Sequence, residues 1–170
     1  MKNIFQVGLA SLLLTSGGLN AHCQMPCGIY HDDMVIDQID QYAETMYKAV
    51  SELNSNLFNS PKDKNQFVRW VLEKEKESDV ATKLITEYFL QQKVKPDEDG
   101  TENKVLALHK VLFLIVKIKQ NTEKKYVLEF MNEWKKFKEM YFPEGFKSRI
   151  NVEKQKIWRE EYEAIIDSQK

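Results

Sequence analysis

The chain lacks most features that would mark it for nucleic acid, a bilayer or a disulfide framework. Its 25 lysines and arginines against 26 aspartates and glutamates leave a net charge of −1 over 170 residues. Without a basic excess there is no electrostatic reason to expect nucleic acid or an anionic membrane as a partner. Nowhere do about 20 apolar residues follow one another, the length a membrane-spanning helix needs. Sustained apolar–polar alternation bounded by turn signals is also missing, so strands are not expected. Internal repeats, low-complexity tracts, glycine-rich phosphate loops, zinc motifs and Ser/His/Asp spacings are absent. Cysteine is scarce: the only two are Cys23 and Cys27.

What remains describes a globular helical chain. Hydrophobic residues make up 42% and charged residues 30%, enough of each for one domain with a hydrophobic core. The N-terminus has the three-part layout of a secretory signal peptide. Lys2 supplies the positive charge, Ile4 to Leu14 is mostly apolar, Thr15-Ser16-Gly17-Gly18 breaks the helix, and Asn20-Ala21 offers a small residue at a cut. A helix buried in the fold is the other reading of this stretch. The layout predicts that residues 1–21 are removed by a processing peptidase, leaving His22 first. The product would be periplasmic or secreted, with no membrane segment in the mature form. A leader that is instead a dedicated pro-segment would leave it cytoplasmic.

From Asp32 onward the sequence predicts an all-α fold, an antiparallel four-helix bundle over residues 32–142. A hook over 22–31 precedes it and a C-terminal helical extension over 143–170 follows. The first helix, Asp33 to Asn56, carries Ile39, Tyr42, Ala43, Met46, Ala49, Val50, Leu53 and Leu57 at steps of three and four, one stripe for packing. Ser60 caps the second, with Pro61 at its first position. Over Lys62 to Gln92, Phe67, Val68, Val71 and Leu72 form one apolar face. Val80, Ala81, Leu84, Ile85, Tyr88 and Phe89 form another. Glu73 to Asp79 between them is polar all round and predicts a bend or short loop, and the Lys/Glu runs read as solvated faces.

Lys95 to Gly100 is a linker. Val105 to Ile118, apolar on nearly every side, predicts a helix in the middle of the bundle. Glu123 to Tyr141 is striped by Val127, Phe130, Trp134, Phe137 and Tyr141, and the stripes read as core. Val152 to Ile166 forms a last amphipathic segment. His31 is expected to be a solvated loop residue and His109 a core or interface histidine.

The chemistry gathers behind the expected cut. His22, once first, offers an α-amine and an imidazole. Cys23 offers a thiolate and a backbone amide nitrogen, and Cys27 a second thiolate. One short loop can therefore place two nitrogens and two sulfurs in a plane, with the imidazole at the side. Planar nitrogen and sulfur ligation suits nickel(II) or copper(II), whereas sulfur-rich tetrahedra suit zinc. A copper site of the amino-terminal type wants histidine third, not first. Pro26 fixes its own φ and restrains Met25, and Gly28 permits a tight reversal. Two cysteines in an exported protein also fit one disulfide. An exported helical binding module stapled by Cys23–Cys27, or a non-catalytic nickel- or copper-binding protein, are thus alternatives.

His22-Cys23-Gln24-Met25-Pro26-Cys27-Gly28-Ile29-Tyr30 resembles the nickel-hook motif of nickel-containing superoxide dismutases, His-Cys-x-x-Pro-Cys-Gly-x-Tyr. Further segments resemble the family at similar spacing: Asn65 to Val71, Tyr88-Phe89 with Lys95-Pro96, and Lys119 to Thr122. The resemblance covers about residues 22 to 142, and 143–170 has no counterpart. It implies a homohexameric enzyme that disproportionates superoxide to dioxygen and hydrogen peroxide by Ni(II)/Ni(III) cycling. By the same resemblance His22 ligates nickel through its α-amine and, when oxidised, its imidazole, while Cys23 ligates through sulfur and backbone nitrogen, and Cys27 through sulfur. Tyr30 would order substrate or water near the open axial face. Gln24 stands where many members carry an acid. The family's glutamate near the axial histidine falls, by count, near Gln38, with Asp37 adjacent.

Overall fold

The computed structural model describes residues 31–55, 57–146 and 152–168. The leader over 1–21 and the hook residues 22–30 lie outside the described residues. Five helices follow in order: α1 Asp32–Ser55, α2 Pro61–Lys83, α3 Thr101–Gln120, α4 Lys124–Tyr141 and α5 Val152–Asp167. A π-helical segment, Leu84–Lys93, continues α2 without a break. The described residues contain no strand, as the missing alternation implies. No helix among them is long and apolar enough to cross a membrane.

Local signals start the helices where the sequence places them. His31, exposed in the approach to α1, accepts hydrogen bonds at its carbonyl from the Met34 and Val35 N–H groups. At α2, Ser60 and Asp63 form a reciprocal capping box, Asp63 N–H donating to Ser60 Oγ at 3.1 Å and Ser60 N–H to Asp63 Oδ2 at 3.0 Å. That pair satisfies two backbone donors that a helix start leaves open.

Helices α1 and α3 each pack against both α2 and α4, which closes a ring of four. Neighbours run antiparallel. Asp32 at the start of α1 accepts a hydrogen bond from Tyr141 at the end of α4, while Asn54 at the other end of α1 donates to the Thr122 carbonyl just before α4. The α1 stripe Val35, Ile36, Ile39, Ala43, Met46, Ala49 and Val50 is buried, and so are Val127, Phe130, Trp134 and Phe137 of α4. Phe89 of the π segment sits among α4 aromatics, 5.5 Å from Trp134, 5.1 Å from Phe137 and 5.5 Å from Tyr141 between ring centroids, all edge to face. Such contacts are favoured beyond the area they bury.

Four expectations are corrected. Glu73 to Asp79 is uninterrupted helix, not a bend or loop. Nor are its charges all solvated: Lys74 and Glu77 are buried, as is the Ser78 hydroxyl. The Lys74 ammonium donates to the carbonyls of Ile118 at 2.7 Å and Lys119 at 2.6 Å, which closes the C-terminal end of α3. Open carbonyls with a partial negative charge are what a buried cation can satisfy there. Third, α3 is not central. It buries Ala107, Leu108, Val111, Leu114, Ile115 and Ile118 but turns Val105, Leu106, Phe113 and Val116 outward, with Phe113 56% exposed. His109 lies on that outward side, so it is no core histidine. Fourth, Leu57 and the face Phe67, Val68 and Leu72 stay exposed. The end of α3 meets α2 at Lys74, so earlier residues of α2 have no α3 beside them.

Beyond the ring, α5 leans on α4, and Tyr47 of α1 donates a hydrogen bond to Glu161 and packs its ring 5.8 Å from Trp158. Replacing the buried cation by an apolar chain of similar length, Lys74→Met, strands two carbonyls. Thermal and urea unfolding should show a loss of about 2 kcal/mol with helical content retained.

Candidate metal centre and its support

The four site residues read from the sequence, His22, Cys23, Cys27 and Tyr30, all lie outside the described residues. Among the described residues no group of three or more His, Cys, Asp or Glu side chains could hold a metal ion. What the structure describes is the bundle end at which α1 begins, and that end is built around Asp32.

Asp32 opens α1 and draws in three side chains from two other elements. Tyr141, on the last residue of α4, donates its hydroxyl to Asp32 Oδ2 at 2.7 Å. Lys93, the last residue of the π segment, places its ammonium 2.8 Å from Oδ1, and Tyr88 of the same segment donates its hydroxyl to Oδ1. The Lys93 ammonium also lies 5.2 Å from the Tyr88 ring centroid, within reach of a cation–π contact. Burial works against the carboxylate. Hydrogen bonds from Lys93, Tyr88 and Tyr141 outweigh it, so the Asp32 pKa lies below its ordinary value of 3.8. Burial raises the Tyr141 hydroxyl, and the neighbouring Asp32 carboxylate raises it further, so it stays a donor at neutral pH.

The π geometry makes this convergence possible. In an α-helix, positions five apart point about 140° away from each other, at about 100° per residue. A π-helix bonds i to i+5, which brings such positions back to nearly one side. Tyr88 and Lys93 are spaced that way, as are Phe89 and Val94, whose backbone N–H donates to the Phe89 carbonyl at 2.9 Å.

A second polar cluster lies deeper. Asp40 is buried between α1 and α4, where it accepts from Trp134 Nε1 at 2.8 Å and from the Lys138 ammonium at 2.8 Å to each oxygen. Burial pushes its pKa up, and Lys138 and Trp134 oppose that. Near the position where the resemblance places a glutamate, Asp37 is buried and Gln38 is exposed. Of the two, Asp37 is therefore the side chain turned into the fold.

Sequence reasoning missed the Asp32 junction because its members stand at positions 32, 88, 93 and 141. Each alone has an ordinary explanation: a helix-start acid, two stripe aromatics, a helix-end lysine. The usable signal was that Tyr88 and Tyr141 each place, at or beside the end of an apolar stripe, a hydroxyl that burial obliges to find a partner.

Comparison with known families gives one match: the model described as nickel-containing superoxide dismutase covers residues 18–144. No curated protein and no solved structure matches the chain. The match takes in the His22–Tyr30 motif, all four bundle helices and every residue of the Asp32 junction. Helix α5 lies beyond it.

A carboxylate with a lowered folded-state pKa contributes stability above its unfolded value and loses it as pH falls through the folded one. Asp32→Asn should therefore be less stable than the parent at pH 7. The difference should shrink as acid unfolding is followed below pH 3.8. A constant difference down to pH 2 would show that the charge of Asp32 is not what stabilises this end.

Proposed function

The chain belongs to the nickel-containing superoxide dismutase family, and from that premise we propose that residues 22–30 hold the metal, with His22, Cys23 and Cys27 as its ligands. The protein is an oxidoreductase that acts on superoxide with nickel as cofactor. One superoxide anion loses an electron and leaves as dioxygen. A second gains that electron and, with two protons, becomes hydrogen peroxide, so no further oxidant or reductant enters.

Nickel supplies the one-electron exchange by alternating between its divalent and trivalent states. The donor set fits that task. Thiolates of Cys23 and Cys27 and the amide nitrogen of Cys23 would be electron-rich donors that bring the higher state within reach, and a donor set of nitrogen and sulfur suits this ion. The α-amine and imidazole of His22 complete the set once the leader is cut. Tyr30 orders superoxide or water beside the metal. Pro26 limits the shapes the loop can take, and Gly28 permits the tight reversal that lets the two sulfurs face one metal.

The observation that carries this reading is that every proposed donor falls between His22 and Cys27, inside the matched span and directly behind the cut the sequence predicts. The disulfide-stapled binding module uses the same cysteines but gives no role to the free amine of His22. Family membership does not favour it. Leader removal by a peptidase is a required step, because the amine is otherwise an amide. Export would deliver the chain to the periplasm or outside, where an unloaded thiolate pair risks oxidation, so nickel loading must be prompt or precede export. Mature enzyme found in the cytoplasm would identify the leader as a maturation pro-segment instead.

The enzyme forms a homo-oligomer, a homohexamer by family likeness, in this reading. Support comes from the outward face of α3, where Val105, Leu106, Phe113 and Val116 are exposed in one stripe. Apolar patches of this kind are uncommon on monomers. Phe113→Lys should lower the mass measured by light scattering toward that of one chain. An unchanged mass would remove α3 from the interface.

Mass spectrometry of the native protein should find His22 as the first residue. Metal analysis should give about one nickel per chain, and superoxide loss should follow nickel content. Cys27→Ser should lose nickel and more than about a hundredfold of activity, since even an outer-layer partner costs up to that much. Residues still attached ahead of His22, or Cys23 and Cys27 oxidised to each other, would sink the assignment. Nickel without turnover would leave a binding protein.

A further inference from the structure

We propose that the Asp32 junction is a positioning device for the nickel hook, with Tyr141 and Lys93 as positioning residues for the superoxide reaction. The inference rests on the hook reading of His22–Tyr30. Asp32 is the fifth residue after Cys27. At about 3.3–3.6 Å per residue, the Cα of Cys27 lies within roughly 18 Å of that of Asp32, and Gly28 leaves the intervening chain free to turn. Whatever fixes Asp32 thus sets where the second sulfur ligand starts from.

Asp32 is fixed more firmly than a helix start requires. A first-turn acid is satisfied by backbone N–H groups and the helix dipole. Here the carboxylate also receives a hydroxyl from the end of α4 and a hydroxyl and an ammonium from the π segment. Three elements that meet only through the tertiary fold converge on one side chain. The π turn, which costs regular α-helical bonding, is what turns Tyr88 and Lys93 to one side.

Metal centres respond to small changes in ligand direction, and outer-layer partners set that direction. The proposed ligands stand within ten residues before Asp32, so the start of α1 is the part of the bundle nearest them along the chain. Tyr141 serves this role because its hydroxyl reaches the Asp32 oxygen that Lys93 and Tyr88 leave open. With it removed, the carboxylate pivots on its two Oδ1 partners and the chain leaving α1 backward toward Cys27 loses its direction.

The test compares the parent with Tyr141→Phe and Asp32→Asn, each purified with nickel, and uses Lys74→Met as a control for lost stability alone. Electron paramagnetic resonance of the oxidised metal and activity per nickel are read on all four. Amide hydrogen exchange over residues 28–36 is read on the metal-free forms. We expect the Tyr141 and Asp32 variants to shift the nickel spectrum, to lose about tenfold of activity per nickel and to exchange faster over 28–36. Lys74→Met should melt earlier with the parent spectrum. If Tyr141→Phe and Asp32→Asn keep the parent spectrum, activity and exchange, the junction does not position the hook. A shift of equal size in Lys74→Met would overturn it as well, since general loosening would then suffice. A parent that binds no nickel overturns the hook reading and this inference together. Nickel bound normally with unchanged variants overturns the inference alone.

Discussion

The working end of this protein depends on an aromatic contact it does not use for chemistry. Phe89 projects from the π segment into the rings of Trp134, Phe137 and Tyr141 on α4. Burying these rings holds the end of α2 against the end of α4. That contact brings the hydroxyls of Tyr88 and Tyr141 to the same place, and α1 starts there. The segment proposed to bind nickel thus precedes, along the chain, the point where Asp32 of α1 is tied to α4 and the π segment. Apolar packing sets the position, and the polar groups at its rim set the direction.

Polar side chains inside the ring follow the same division. Lys74, Asp40 and Ser78 are buried, yet each has partners: carbonyls at the end of α3 for Lys74, Trp134 and Lys138 for Asp40, and the Lys74 carbonyl for Ser78. A buried charge without partners would cost several kcal/mol, and a partnered one fixes which helices lie side by side. Lys74 ties α2 to α3, and Asp40 ties α1 to α4. The α2–α3 and α1–α4 contacts thus each carry a buried charged tie that a uniform apolar stripe could not specify.

The surface shows the reverse case. Outward residues of α3 and the early turns of α2 are apolar and stay exposed, Phe67 edge to face with Phe58 at 5.2 Å and Phe113 5.3 Å from the Lys117 ammonium. The reading of α3 as a central helix treated hydrophobicity as a measure of depth. Its second apolar face instead points away from the ring, where another subunit is the covering chemistry we propose. Helix α5 is separate in kind. It lies beyond the family match and meets the ring along α4 and at Tyr47 of α1.

Much of this was legible along the chain. Steps of three and four marked the stripes of α1 and α4, Ser60-Pro61 marked a helix start, and the His22–Tyr30 motif pointed to the family, because a motif within one short stretch depends on neighbours in sequence. Only the tertiary structure decided that Lys74 is buried, that α3 has a free face, and that Asp32, Tyr88, Lys93 and Tyr141 share one junction. Local patterns record which side of a helix is apolar, but they do not record how far a neighbouring helix extends or which distant side chain meets a buried charge. Those depend on lengths and crossings that exist only once the ring has closed.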